Sequence, residues 1–271
     1  MTDLALSTLG LPSTPLRDVL RLAADSGYAG LELRCAADEP VHTALTGAER
    51  RSLVREFSGA GVVPLSLAGY AKVAAPGADG PVVADLRQHL RLAADLGARY
   101  LRVFPGGDRA AAAGGNDDRA VRRLSAVADL AASLGVQVGM ETHDSHAAAA
   151  DVARVLDRVP GGSACGIWDM MHTHLAGEQP GASLRALAGC LGYVQVKDAR
   201  PPQDLTPLPL GAGTLPLREV CEALRRSAYG GWLVWEYEAR WYPRAQLLDP
   251  HVLAAASAWL QQALAPAGPR P

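Results

Sequence analysis

The feature that most constrains this chain is a rhythm. Short apolar runs alternate with Ala/Leu/Arg-rich stretches of helical periodicity, about eight times, at a spacing of about thirty residues. The runs fall at residues 4–9, 30–34, 62–67, 100–103, 136–141, 164–168, 192–196 and 231–235. Helices are expected at 14–26, 47–60, 82–96, 118–134, 146–158, 182–188, 215–227 and 244–264. Ser13 or Thr14 is placed to cap the first of them. Gly27, Gly61, Gly97 and Gly135 each stand between a helix and the next apolar run. Glycine enters the left-handed conformation without a Cβ clash, so it stops a helix.

Strands that alternate with helices are joined by helical crossovers and run parallel. Such units close into an α/β fold of the (β/α)8 TIM-barrel class, and 271 residues suit one barrel of ~250. The expectation is a single domain over residues 1–264 and a frayed, Pro/Gly-rich tail at 265–271. An open doubly wound sheet is the alternative. No GxGxxG follows the first run, which weakens its dinucleotide-binding version. Two loops stand apart. Residues 105–116, rich in Gly and Ala, read as a mobile loop or lid, and the proline-rich stretch 198–213 follows the seventh strand.

Composition narrows the function classes. The chain is 49% hydrophobic and 20% charged, enough for a large core and against global disorder. Its net charge of -2 and the absence of a basic stripe argue against a nucleic-acid partner. No run of ~18 apolar residues and no basic leader are present, so neither a membrane span nor a signal peptide is expected. Cys35, Cys165, Cys190 and Cys221 form no CxxC pair, which argues against a disulfide framework and a thiolate zinc site. They read as buried small residues in a cytoplasmic protein.

In such barrels the site lies at the carboxyl ends of the strands. There, Glu141, Asp169, Gln195 and Glu236 follow one another at intervals close to one βα unit. All offer oxygen, which suits a hard divalent cation such as Mn²⁺ or Mg²⁺. Three carboxylates brought together would repel one another without one. Singly, each acid reads as a cap or a solvated rim residue, and Gln195 as the partner of a buried backbone group. The succession on neighbouring strands is what argues for a metal.

Lys197 shares a strand face with Gln195 and, once buried, needs a carboxylate partner, either the adjacent Asp198 or another acid. A Schiff-base role is a weaker reading. His143, two residues after Glu141, is placed to touch substrate; His172, three after Asp169, to ligate or orient. His143 and His146 make an HxxH without the glutamate and helix of a zinc protease. Arg102 would bind an anionic or hydroxylated substrate, or close a salt bridge in the barrel mouth. Glu32 and Arg34 share that ambiguity. Tyr70, Phe104, Trp168, Trp235, Trp241 and Tyr242 are candidates for an apolar wall, against the usual place of tryptophan in the core.

Read in order, Gly30-Leu31-Glu32-Leu33-Arg34, Leu101-Arg102-Val103-Phe104, Glu141-Thr142-His143-Asp144, Trp168-Asp169-Met170-Met171-His172, Val194-Gln195-Val196-Lys197-Asp198, Gly211-Ala212-Gly213 and Trp235-Glu236-Tyr237-Glu238 resemble the xylose isomerase-like superfamily of sugar isomerases and epimerases. The resemblance implies a divalent metal held by Glu141, Asp169, Gln195 and Glu236. Many members carry histidine where this chain has Gln195; some, including some dehydratases, carry glutamine. The amide makes the donor set all-oxygen and favours Mg²⁺ or Mn²⁺ over softer ions.

The leading expectation is an isomerase or epimerase of a small polyhydroxylated carbonyl compound, acting through an enediolate. Glu141 or Glu236 would remove the proton beside the carbonyl and the other would return one. His143 and Lys197 would hold or polarise oxygens, and Arg102, His172 and Trp168 would bind substrate. The alternative is a dehydratase of a cyclic keto-acid or keto-cyclitol. It would add protonation of the leaving hydroxyl by His143 or His172, with Arg102 on a substrate carboxylate. An endonuclease would call for a histidine-rich trinuclear zinc site, which the all-oxygen set opposes. A barrel that has lost catalysis is favoured only by Gln195. The class is compatible with a homodimer.

Overall fold

The computed structural model describes residues 2–108 and 113–265. Residues 266–271 of the expected tail and 109–112 of the expected lid lie outside the described residues. In chain order the described elements are β1 (Asp3–Ser7), α1 (Leu16–Asp25), β2 (Gly30–Arg34), α2 (Gly47–Ala60), β3 (Val63–Lys72), α3 (Asp79–Leu96), β4 (Tyr100–Phe104), α4 (Ala113–Ser125), α5 (Ala128–Leu134) and β5 (Gln137–Glu141). There follow α6 (Ala149–Leu156), β6 (Ala164–Asp169), α7 (Met170–Leu175), α8 (Pro180–Leu187), β7 (Leu191–Val196), β8 (Asp198–Arg200), β9 (Asp204–Leu208), α9 (Leu217–Arg226), β10 (Trp232–Trp235) and α10 (Pro250–Leu264). Parallel pairing in the order β1-β10-β7-β6-β5-β4-β3-β2 closes a (β/α)8 barrel. Among the described residues no helix is long and apolar enough to cross a membrane.

Gly61, Gly97 and Gly135 cap α2, α3 and α5 with left-handed φ values of 66°, 79° and 66°. Each frees the chain to turn straight into the next strand. At the other end of α2, Thr46 accepts from the Glu49 amide while Glu49 reaches back to Thr46, a reciprocal capping pair.

Some expected elements shift. The helix expected at 118–134 is two, α4 and α5, broken at Val127 with no glycine or proline to announce it. Residues 113–116, expected in the loop, form the first turn of α4. The last helix starts at Pro250, because Asp249 caps it by accepting from the Val252 amide and proline needs no hydrogen bond at the first position. The proline-rich stretch after β7 contains an antiparallel hairpin, β8–β9, where no strand was expected.

Side-chain alternation divides the core in two. Ala5, Leu65, Tyr100, Cys165, Ile167, Tyr193 and Val234 fill the barrel interior. Opposite-parity residues such as Leu6, Leu33, Val103, Met140, Val194 and Trp235 pack outward under the helices. Gly139 leaves its inward position empty for Ile167, whose Cδ1 would lie 2.4 Å from an added Cβ.

Candidate active site

The barrel mouth is where the expected acids meet. Glu141 ends β5, Asp169 ends β6, and Glu236 follows β10 directly. Each brings a carboxylate oxygen within 4.8 Å of the others, and all three are buried. Gln195, on β7 opposite Asp169, joins them through its Nε2, 3.1 Å from Glu236 Oε1.

Asp169 divides its two oxygens. Oδ1 caps α7, accepting from the Met171 and His172 amides at 2.8 and 3.3 Å. That leaves Oδ2 turned to the mouth, 2.7 Å from Lys197 Nζ. Lys197 also donates to Glu236 and lies 3.4 Å from Glu238. Its partners are therefore Asp169, Glu236 and Glu238. The adjacent Asp198 points the other way and accepts from the backbone amides of Gly211, Gly213 and Leu215. Burial alone would strip Lys197 of its proton, but the surrounding carboxylates hold its pKa well above the usual lysine value. Burial likewise works against ionised Asp169, and Lys197 overrules it, holding the carboxyl below its ordinary range.

Glu141 stands in a different field. Burial pushes its carboxyl well up, Arg102 opposes this, and Glu236 and Asp169 add to it. Arg102 Nε lies 3.2 Å from Glu141 Oε2, its Nη1 donates to the Gly69 carbonyl, and its guanidinium stacks 4.0 Å from the Phe104 ring centroid. With 1% of its surface exposed, Arg102 is the salt bridge of the mouth, the second of its two sequence readings.

Beneath the cluster lies a polar floor. Glu32 accepts from Tyr193 Oη at 2.5 Å and from Gln195 Nε2 at 3.0 Å, and Tyr193 reaches Ser66 Oγ at 3.1 Å. Burial, then Glu236, raise the Glu32 carboxyl. Gln195 thus donates to side-chain carboxylates, and among the described residues its own Oε1 has no hydrogen-bond partner.

The rim is aromatic. The His143 and His172 rings meet edge-on with centroids 4.0 Å apart, and Phe104 lies 4.6 Å from His143. Each histidine also places a nitrogen within 4.8 Å of a Glu141 oxygen. Burial pulls the His172 pKa down to about 4. Tyr70, Phe104 and Trp241 stand at the mouth, with Arg34 between the Tyr70 and Trp241 rings. Two wall candidates are corrected. Trp168 precedes the inward-facing Asp169, so alternation turns it outward, where it is fully buried under the helices and its indole N–H donates to Thr173. Trp235, one residue before Glu236, faces outward for the same reason.

Residues 20–263 match the family described as the xylose isomerase-like TIM barrel. The chain belongs to that family. No curated protein sequence matches it. Among solved structures, D-psicose 3-epimerase from Clostridium cellulolyticum H10 superposes with a TM-score of 0.81 at 16% identity, over 97% of this chain and 99% of that one. A probable 3-DHS dehydratase involved in petrobactin synthesis from Bacillus anthracis gives 0.78 at 16% identity, over 96% and 99%. The 3-keto-D-glucoside 4-epimerase of E. coli gives 0.75 at 17% identity, over 97% and 100%. At these identities the likeness is one of fold.

Within this xylose isomerase-like barrel the residues present fit a divalent cation. Glu141 Oε2, Asp169 Oδ2 and Gln195 Oε1 are buried oxygens without an aligned hydrogen bond. Among the groups linked to the cluster acids outnumber bases: Glu32, Glu141, Asp169, Glu236 and Glu238 against Arg102 and Lys197. Tyr193 and Glu238 were not singled out from sequence. The signal for both was parity, since Tyr193 sits two before Gln195 and Glu238 two after Glu236.

Proposed function

We propose that this barrel is a divalent-metal-dependent isomerase or epimerase of a small polyhydroxylated carbonyl compound. The observation that carries the reading is the meeting of Glu141, Asp169 and Glu236 oxygens within 4.8 Å, in a buried mouth, beside a buried Gln195 oxygen without a hydrogen-bond partner among the described residues. Those four residues would hold the ion, and their all-oxygen donor set suits Mn²⁺ or Mg²⁺. When bound, such a cation polarises a substrate carbonyl and stabilises negative charge developing on its oxygen.

The protein's own groups do the rest. Glu141 and Glu236 reach the cluster from β5 and the end of β10, with β6 and β7 between them. One can take the proton beside the carbonyl while the other returns a proton to the opposite face, which inverts or relocates the centre. Arg102 and Lys197 balance the carboxylates and fix their rotamers. His143 and His172 present ring nitrogens to substrate hydroxyls, and Phe104 and Tyr70 wall the mouth.

A dehydratase of a cyclic keto-acid is the second reading. Gln195 and the fold of the dehydratase relative favour it. The residue it needs for a substrate carboxylate, Arg102, is already engaged by Glu141 and Gly69.

The test is metal analysis of protein purified without chelator, wild type against Asp169→Asn and Glu236→Gln, followed by ketose substrates in D₂O. Near-stoichiometric metal lost in both variants, with deuterium entering beside the carbonyl, is the expected result. A wild type that takes up no metal after incubation with Mn²⁺ would overturn the reading.

A further inference from the structure

Of the two histidines in the HxxH sequence, one stands in the mouth and one does not. After β5 the chain turns in two residues. His143 N–H donates to the His146 carbonyl at 3.2 Å, and His146 N–H returns to the His143 carbonyl at 2.8 Å. Asp144, inside the turn, has a φ of 46°, a left-handed conformation that aspartate visits at small cost. The His143 ring lies on the rim against His172 and Phe104. His146 is 1% exposed, and its ring points to α4 instead. The chemistry proposed for the mouth has no use for it.

His146 Nε2 lies 3.0 Å from Asp117 Oδ1. Arg154, from α6, donates to both oxygens of the same carboxylate, at 2.7 and 3.3 Å. Burial opposes an ionised Asp117, but Arg154 and His146 outweigh it and hold the carboxyl below its ordinary range. An ionised carboxylate only accepts. The proton of a neutral imidazole therefore sits on Nε2, and Nδ1 accepts from Ser145 Oγ, 2.9 Å away. Ser145 Oγ in turn accepts from the Gly107 N–H at 3.0 Å. An added Cβ at Gly107 would lie 2.6 Å from that oxygen, so only glycine lets the loop after β4 come this close. The hairpin is thus tied on one side to the loop after β4 and on the other to α4 and α6.

A two-residue hairpin held by two backbone hydrogen bonds is marginal by itself. An apolar side chain at 146 would fill the space at less cost than an imidazole with two partners. What the hydrogen bonds add is direction. Among the described residues Asp117 and His146 enter no group that could hold a metal ion. We propose that His146 is a positioning residue for His143: the chain Asp117–His146–Ser145 fixes the hairpin, and the hairpin fixes the His143 ring over the carboxylate cluster. His146 acts only through His143. Displacing a positioned group by about 1 Å costs on the order of 100-fold in rate. The effect on rate rests on the catalytic reading of the mouth, in which His143 meets the substrate; the seating of the ring does not.

The seating is tested first, with diethyl pyrocarbonate on the native full chain, without metal or substrate, each histidine followed by peptide mass spectrometry. His251, exposed on α10, reports the reactivity of a free ring, and the largely buried His89 reports unfolding. In His146→Ala, His143 should be modified severalfold faster than in wild type, with His251 and His89 unchanged. His146→Gln can still donate to Asp117 and should restore the slow rate. Asp117→Asn sets an amide NH₂ against the His146 N–H or the Arg154 guanidinium and should also speed His143. It leaves the hairpin's own residues intact, so it decides the matter where His146→Ala fails to fold. A His143 rate unchanged in both variants, or rising in Asp117→Asn only together with His89, would overturn the proposal. Deuterium exchange into a ketose then reads the rate. His146→Ala should lower kcat on the order of tenfold with KM little changed, and should add nothing to the loss in His143→Ala. Full additivity would likewise overturn the proposal. A wild type that catalyses no exchange would refute the function given to the mouth, and the labelling result would still decide the role of His146.

Discussion

Lys197 Nζ lies 2.7 Å from Asp169 Oδ2 and also donates to Glu236, so a single ammonium group ties the end of β6 to the end of β10. Lys197→Met removes one partner from a buried ionic cluster, which costs about 3–5 kcal/mol. A bound cation replaces part of the lost charge. Thermal unfolding should therefore show a lowered Tm in the variant and a larger rise on adding Mn²⁺ than in wild type. Equal rises would mean that the lysine and the cation do not share the same carboxylates.

Gln195→His exchanges an amide oxygen for an imidazole nitrogen beside Glu236 and removes the amide donation to Glu32. Nitrogen donors favour softer ions. In competition dialysis against equal Mn²⁺ and Zn²⁺, the variant should take up more zinc relative to manganese than wild type. An unchanged ratio would place residue 195 outside the donor set.

Arg102→Met withdraws the cation that opposes protonation of Glu141. The ionised carboxylate is the form that removes a proton, and losing a nearby positive charge favours the protonated form. The acidic limb of the kcat/KM profile should move to higher pH. A limb that stays in place would assign the titration to another group.

His89 makes stability depend on pH on the alkaline side. Its pKa rises from 6.5 to about 10 on folding, so the folded state keeps a proton that the unfolded chain releases. That contribution is complete below pH 6.5 and is lost as pH climbs through about 10. Urea unfolding of wild type should weaken over this window by about 1–3 kcal/mol more than His89→Gln, a range reduced for the half-exposed Asp85 partner. Parallel profiles would show that the ion pair contributes nothing.

Asp198 holds the loop after the β8–β9 hairpin by accepting from Gly211, Gly213 and Leu215. An added Cβ at Gly213 would come within 2.1 Å of Asp198 Oδ1, which explains the glycine. Asp198→Ala leaves these amides unpaired at about 1–3 kcal/mol for each one that stays buried. Limited proteolysis should cut near residues 199–214 faster in the variant, with cleavage elsewhere unaltered.

Glu141, Asp169, Gln195 and Glu236 were legible in the sequence because strand ends in this fold share a rim and because side-chain direction follows parity. The same parity argument, applied to Trp168 and Trp235, turns them into the helical layer, away from the wall role first given to them. The break at Val127 was not legible, since it depends on tertiary packing and no glycine or proline marks it; the β8–β9 hairpin turns at Pro201-Pro202, a signal that marks the turn but not the pairing of the strands on either side. Cys35 was read as a buried small residue; only the fold, by bringing β2 against α3, sets it on one cavity with His89.

The first strand of the barrel pairs with the last, Asp3 opposite Trp232. Until the final strand has been synthesised, β1 keeps one edge without a neighbour, and Glu236 is missing from the mouth. The carboxylate cluster therefore comes into being in a single late event, and no shorter nascent chain contains it. Closing so distant a pair is slow compared with forming local hairpins and helices. Unpaired edges in partly made chains invite aggregation, so the interval before closure is when this protein most needs protection.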